Sequence, residues 1–423
     1  MIQEFSIENT LSIKTRQTIS FEAVQDSNED SLHYIQIGNT RLLKLAAIFG
    51  SNASGKSNML KAIDFYLDFI LSAFSDLKPK ENTGFIPFSF DTETINAPGS
   101  FDVTFFCDEI KYEYQLTLDS KCVHSEKLTY SPKGQKKLVY QRNCSDCTGD
   151  CDTLNYEWKW GDTLVGSKKK IAEMTRPNTT FLNTAAQLEH PDLGKVYQSL
   201  RMSFMPTITP GTRGLMNFTI KRIEKNEGFK KDILNLLEKS DFGQIKDIVL
   251  KTREVPSSFI DTLPDAAKEG LKNTEGKYVM KDLLLSHRYG KNYLLPIAKE
   301  SAGTQRLLEL AGPLFEIIRN KHFICIDEIE SSLHQELLEF ILKTFLENSK
   351  ESQILFTTHN LDLLDTEFLL DDEVWFSEKD ENGGSNYTGF VEFTGVRKGT
   401  SRKKLYAAGK FGAKPIISTL ITD

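Results

Sequence analysis

The chain has 423 residues, 39% of them hydrophobic and 26% charged, with a formal net charge of -7. That length allows one large domain with an insertion or two domains, and the composition is that of an ordinary globular protein rather than a disordered or fibrous one. The acidic balance excludes a general electrostatic nucleic-acid binder, so any such contact must use local basic patches.

No apolar run approaches the roughly eighteen residues of a membrane span, and Met1-Ile2-Gln3-Glu4-Phe5 has no signal-peptide pattern. A cytoplasmic protein without a membrane partner is expected. Six cysteines, three of them bunched, do not make a secreted disulfide framework.

Residues 1–45 alternate apolar and polar around Phe5, Ile7, Leu11, Ile13, Ile19 and Phe21, which predicts antiparallel strands. Leu45, Ala46, Ala47, Ile48 and Phe49 then form an unbroken apolar run, as in a strand buried on both faces of a parallel sheet. Gly50-Ser51-Asn52-Ala53-Ser54-Gly55-Lys56-Ser57 follows and fits G-x-x-x-x-G-K-[ST] at every fixed position. Leu60, Ile63, Leu67, Ile70, Leu71 and Phe74 recur at helical spacing, so the loop joins a strand to a helix. In that context successive backbone N–H groups, continuing to Asn58, converge on one spot and hold anionic phosphate oxygens. Lys56 would reach the outer phosphates, and the Ser57 hydroxyl would ligate magnesium.

Residues 79–98, broken by Gly84, Pro87 and Pro98, read as loop. Strand-like runs at 101–107, 112–118, 127–130 and 137–141, separated by turn signals, predict a meander of hairpins. Asp102 and Glu109-x-Lys111 within it could be taken for a nuclease metal site, but short matches of this kind are expected by chance in a charged strand. Cys144-x-x-Cys147-x-x-x-Cys151 offers three thiolates for zinc if a fourth ligand comes from elsewhere, and reads equally as a polar hairpin tip beside Asp146 and Asp150. Lys168-Lys169-Lys170 and the basic positions between Lys221 and Lys231 read as solvated helix faces, with a partner or nucleic-acid contact as the minor alternative. Residues 191–290 otherwise look helical and loop-rich, with an amphipathic stretch at Ile233, Leu234, Leu236 and Leu237, and are the candidate inserted lobe. No internal repeat or heptad run is evident.

Ser301, after Glu300, suits a helix N-cap, and Ser301 and Gly303 leave backbone N–H groups free at that helix start, where phosphate would bind. Phe323-Ile324-Cys325-Ile326 is a second buried-strand run ending in Asp327-Glu328. Acidic groups at the carboxyl end of a parallel strand sit where such sheets bind ligands. Asp327 would hold magnesium, and Glu328 would orient and deprotonate the attacking water. A third strand, Ile354-Leu355-Phe356-Thr357-Thr358, delivers His359, a candidate γ-phosphate sensor, though a lone His after a strand is more often only a surface or core residue.

The order of these parts resembles the ATP-binding-cassette ATPases: phosphate loop, signature Ser301-Ala302-Gly303-Thr304-Gln305, acidic pair, Ser331-Ser332-Leu333-His334 as the D-loop, and His359 as the switch histidine. The resemblance implies an α/β fold with a mainly parallel core sheet, an antiparallel β meander and an inserted, mostly helical lobe. The expected division is 1–190 and 291–423 for the two parts of the ATPase domain and 191–290 for the insertion. It also implies two copies closing head to tail, each signature helix capping ATP held by the other, in a homodimer or a higher even oligomer. Gln187 in Asn183-Thr184-Ala185-Ala186-Gln187 is the candidate for the family's Q-loop glutamine.

Four stretches carry a finer resemblance to the branch related to overcoming-lysogenisation-defect proteins, specifically abortive-infection ATPases of the AbiL or RloA-like kind. They are Glu300-Ser301-x-Gly303-Thr304, Asp327-Glu328-Ile329-Glu330-x-Ser332-Leu333-His334, Phe356-Thr357-Thr358-His359-Asn360, and the tail Tyr406-Ala407-Ala408-Gly409-Lys410-Phe411-Gly412-Ala413-x-Pro415; Asp372-Glu373-Val374-Trp375-Phe376 also looks like that family's strand after the switch histidine. This implies a sensor or regulator in antiphage defence acting on a separately encoded effector such as an RloB-like nuclease, since the chain has no R-x-x-x-x-H ribonuclease pair and no fused Toprim nuclease. The alternative is a DNA-binding repair ATPase of the RecF or chromosome-maintenance kind. A transporter subunit is set aside because Lys56 and Ser301 are much too far apart in sequence. The basic tail, with Arg397, Lys398, Arg402, Lys403, Lys404, Lys410 and Lys414, reads equally as a nucleic-acid or partner dock and as a solvated tail.

Overall fold

The computed structural model describes residues 1–24, 32–145, 147, 154–240, 242–262, 268, 271–272, 276–396 and 399–412. The chain divides into two compact units, one of Met1–Pro210, Asn320–Ile329 and Leu346–Asp423, the other of Gly211–Arg319 and Glu330–Phe345.

The first unit is built on two sheets. One runs β14 (Phe323–Ile326), β15 (Gln353–Thr358), β5 (Leu45–Gly50), β16 (Val374–Lys379), β17 (Ser385–Gly389). The first three junctions are parallel and the last is antiparallel. Every residue of β5, β14 and β15 is buried, as their unbroken apolar runs require of strands covered on both faces. Phe204 and Ile208 bridge in parallel to Phe323 and Ile326, extending this sheet beyond β14.

The other sheet is antiparallel, in the order β10 (Tyr156–Trp160), β9 (Lys137–Cys144), β8 (Val123–Ser131), β7 (Ile110–Leu118), β6 (Gly99–Cys107), β1 (Ile2–Glu8), β2 (Gln17–Ser20). It contains the expected hairpins, and the N-terminal strands join it beside β6. The short pair β3 (Tyr34–Ile37) and β4 (Thr40–Leu43) stands apart. Helix α1 (Lys56–Asp76) turns Met59, Leu60, Ile63, Tyr66 and Ile70 into one core with Ala46 and Ile48 of the parallel sheet and Phe101, Tyr114 and Leu116 of the antiparallel one. Tyr66 stacks on Phe101 and its hydroxyl donates to the Tyr114 carbonyl at 2.8 Å. Helices α2 (Lys168–Met174), α3 (Phe181–Gln187) and α4 (Pro191–Ser203) complete the described helical part before residue 210.

The second unit holds α5 (Leu215–Lys225), α6 (Glu227–Lys239), α7 (Ala302–Arg319) and the first part of α8 (Gln335–Asn348). It also holds an antiparallel sheet of β11 (Ile245–Glu254), β12 (Val279–Tyr289) and β13 (Lys291–Pro296). The mostly helical insertion expected over 191–290 therefore differs from what is found. Helix α4 falls in the first unit, and the insertion carries a sheet that its sequence concealed. The outer half of β11, Lys251-Thr252-Arg253-Glu254, is charged and exposed, so it shows no strand alternation by itself and is held by pairing with β12. Two basic positions of α5 and α6 face acids: Arg222 with Glu316 at 2.7 Å, Lys230 with Asp247 at 2.7 Å.

The C-terminal tail is docked as far as it is described. Helix α9 (Arg402–Ala407) buries Arg402, whose guanidinium reaches Asp371 (3.3 Å) and the Thr366 carbonyl (3.1 Å), and Phe411 stacks on Phe376 at 4.4 Å between centroids. Arg397, Lys398 and Lys414 lie outside the described residues.

Candidate nucleotide site

Strand β5 and helix α1 are joined by a loop that only small residues can form. Gly55 takes φ +109 and Ala53 φ +64. A Cβ on Gly55 would stand 2.0 Å from Ser385 Oγ, and one on Gly50 would stand 2.4 Å from the Ser377 carbonyl, so neighbouring chain closes on the loop at both glycines. A set of hydroxyls clamps the loop from outside. Ser385 Oγ and Ser377 Oγ donate to the Ser54 carbonyl at 2.8 and 3.1 Å, and the Tyr387 hydroxyl donates to the Gly55 carbonyl at 2.7 Å. With its carbonyls tied outward, the loop presents its N–H groups inward, where an anion is held.

Lys56, almost fully buried, donates to the carbonyls of Gly50 and Ser51, both at 2.9 Å, and lies 3.4 Å from His359 Nδ1. Ser57 Oγ donates to Asp327 Oδ1 at 2.9 Å. The same carboxylate oxygen accepts from Thr357 Oγ1 at 2.6 Å, and Thr357 Oγ1 accepts the Glu328 N–H at 2.8 Å. The Asp327 N–H donates to the Ile208 carbonyl at 2.7 Å. These bonds fix Glu328 in the left-handed region, φ +47, an unusual conformation for a residue with a side chain, of the sort held only where its surroundings over-determine it. Its carboxylate is 46% exposed and lies 3.9 Å from His359 Nε2.

The structure thus brings together Lys56, Ser57, Asp327, Glu328 and His359 from three segments of the chain. Asn58 turns aside to Ser12 Oγ at 2.8 Å. Asn52 and Ala53 form the exposed crown of the loop, beside the half-buried Ser51. Ser54 Oγ is buried without a hydrogen-bond partner among the described residues. Gln187 is exposed at the end of α3, whose inward Phe181 packs on Tyr140 and Trp158. The segment lying beside the Asp327 strand is 204–208. Thr357 and the clamp of Ser377, Ser385 and Tyr387 were not singled out from the sequence. The only signal was a run of hydroxyl residues ending an apolar strand.

In the second unit, Ser301 caps α7: its hydroxyl accepts the Thr304 N–H at 3.1 Å and lies 2.8 Å from Thr304 Oγ1, while Gln305 Nε2 donates to the Glu300 carbonyl at 2.9 Å. Glu300 Oε1 is 2.7 Å from His287 Nε2. Gly303 lies close to the Ser332 carbonyl, where an added Cβ would be in ordinary contact at 3.4 Å.

A loop of this shape between a parallel strand and a helix, with an acidic pair on a nearby strand of the same sheet, defines a P-loop nucleotide-binding protein. The chain belongs to the family described as "AAA domain, putative AbiEii toxin, Type IV TA system", which matches residues 45–148 and 211–365. No curated protein matches it. Among solved structures it is similar to an SMC head bound to the C-winged helix domain of ScpA (TM-score 0.45, 12% identity, 92% of this chain and 97% of that one). It is also similar to the SMC head domain from Thermotoga maritima (TM-score 0.39, 16% identity, 92% and 98%). No described helix is long and apolar enough to cross a membrane.

Proposed function

We propose that this chain hydrolyses ATP with magnesium, and that two copies close head to tail so that each Ser301 helix end meets nucleotide held by the other. The observation that carries the hydrolytic reading is the junction of Ser57, Asp327 and Thr357, with Glu328 and His359 beside it. The residues suit the metal nucleotide: a hydroxyl and a carboxylate that would share magnesium already touch, and the buried Ser54 hydroxyl has no hydrogen-bond partner among the described residues. Bound there, magnesium would neutralise charge on the phosphates. The loop N–H groups and Lys56 hold the triphosphate. Thr357 pins the Glu328 backbone, so that its carboxylate, open to water, takes the proton of the attacking water. His359 donates to the phosphoryl group as its charge develops.

The same reading makes the chain a sensor or regulator in antiphage defence, of the AbiL or RloA-like kind, controlling a separately encoded effector such as an RloB-like nuclease. The family's description by a Type IV TA toxin supports a setting of this sort. The test compares wild type with Glu328→Gln by ATP turnover and native mass, with ATP and magnesium present. Loss of turnover with retained nucleotide and a trapped dimer or larger assembly is expected, and that assembly is the bait for the effector. Turnover equal to wild type would remove Glu328 as the base, and capture of DNA rather than a protein effector would move the chain to the repair class.

A further inference from the structure

We propose that Cys122, His124, Cys144 and Cys147 form a structural zinc site that ties the turn before β8 to the hairpin tip after β9. The expectation from sequence placed two of these thiols with Cys151, and left the remaining ligand unnamed. Cys151 lies outside the described residues, and the fold supplies Cys122 and His124 instead.

Strand register explains why. β8 and β9 are antiparallel with Ser125 opposite Asn143, so one step further along the same register sets His124 opposite Cys144. Cys122 immediately precedes β8, where a bulge between Val123 and Ser125 interrupts the pleat, so its place is set by the turn rather than by strand alternation. Cys147 follows Cys144 at the C-x-x-C spacing of a zinc knuckle and returns over that face. The ligand atoms of Cys122, His124 and Cys147 lie within 4.8 Å of one another, and the Cys147 thiol reaches both Cys144 and Cys122. The cysteines are thiols rather than half-cystines. Cys122 is buried, and the others are half-buried.

The surroundings suit a cation. A divalent ion would take the clustered thiols as thiolate ligands, with release of their protons. His124 Nε2 stands 2.9 Å from Asp119 Oδ2. A carboxylate beside a ring nitrogen is the usual neighbour of a metal-binding histidine. Asp119 accepts the backbone N–H of Lys121 and Cys122 at 2.7 and 2.8 Å, so the carboxylate beside the histidine also orders the turn that carries Cys122. Three Cys and one His complete a closed tetrahedral set of the structural kind.

The test is metal analysis of full-length protein purified without chelators, followed by exchange of the metal for Co2+. Stoichiometric zinc is expected, and the cobalt form should show a thiolate-to-metal charge-transfer band together with the visible bands of a tetrahedral site. Cys122→Ser and Cys147→Ser should each release most of the metal, whereas His124→Cys and Cys151→Ser should keep it. Where a serine variant fails to fold, the wild-type cobalt spectrum decides by itself, because the charge-transfer intensity counts the thiolates. Wild type that carries no zinc and develops no cobalt band, a disulfide between Cys122 and Cys147, or metal retained in both serine variants would overturn the site. Loss of metal from Cys151→Ser with retention in His124→Ala would overturn this ligand set in favour of the three sequence-adjacent cysteines.

Discussion

Two polar clusters of the first unit, one at the phosphate loop and one inside the antiparallel sheet, are built from similar residues and do opposite things. At the loop, Asp327 is tied down by Ser57 and Thr357, but Glu328 and His359 keep about half and a third of their surface open to water. In the sheet, Glu126 and Arg142 are wholly buried, with Arg142 Nε 2.8 Å from Glu126 Oε2. Glu126 also accepts from the Tyr114 and Tyr140 hydroxyls at 2.8 and 2.6 Å and from the Phe181 and Leu182 N–H groups at 2.7 and 3.1 Å, and Arg142 donates to the Thr179 carbonyl. That cluster holds the start of α3 against the sheet. The difference teaches that burial, rather than the kind of residue, separates a polar group that builds the fold from one left available for chemistry.

The largest effect that would test the contrast is at the buried pair. Arg142→Met leaves Glu126 charged and without its cation in the core, and should cost about 3–5 kcal/mol of unfolding free energy by urea denaturation. A cost near zero would mean that the pair is no more than a surface-like contact. Next, His359→Ala removes a donor to developing charge and should lower ATP turnover by about a hundred- to a thousand-fold. Its melting temperature should move by no more than about 2 °C, since nothing in the core depends on it. If instead stability collapses while turnover persists, the loop cluster is architecture too.

The sequence was most legible where chemistry fixes spacing along the chain. The loop from Gly50 to Ser57 and the strand ending in Asp327-Glu328 could be read directly, because each is a local device whose residues are neighbours. What escaped is what acts across the fold. Thr357 matters because pairing between β14 and β15 sets its hydroxyl on Asp327, and Ser385 and Tyr387 matter because β17 returns to the loop more than three hundred positions later. Glu126 and Arg142 match no motif, being opposite one another only through the register of β8 and β9. The same register brings His124 to Cys144, so half of the thiol cluster was visible and half was not. Gln187 was placed by its position after the meander, whereas the parallel bridge beside β14 belongs to 204–208, where Ile208 bonds the Asp327 N–H; nothing in the composition of that short stretch marks it as part of the sheet.

Helix α7 lies between the two extremes, because Ser301 caps its own helix yet is exposed, and in the proposed function that helix end meets a ligand. Ser301→Ala removes the acceptor for the Thr304 N–H and should cost about 1 kcal/mol in urea denaturation. The proposed function adds a second expectation, a loss of ATP turnover larger than that stability change accounts for. A matched small loss in both would reduce Ser301 to a cap.

The smallest effect belongs to a contact shared with solvent. Asp365 accepts from Ser401 Oγ at 2.5 Å and from the Lys403 N–H at 3.1 Å, fastening the start of α9. Burial, the largest single influence, pushes its pKa up, but these hydrogen bonds and the Arg402 charge together outweigh it and hold the carboxyl below the usual aspartate value. Because the folded pKa is the lower one, the stability it contributes is present above the unfolded value and is lost as pH falls through the folded one. Asp365→Asn should therefore flatten the acid limb of the melting-temperature profile below about pH 4. At neutral pH, with solvent screening allowed for, it should cost under about 1 kcal/mol. A cost as large as that of Arg142→Met would show that exposure does not set the worth of these contacts, and the contrast between the two clusters would fail with it.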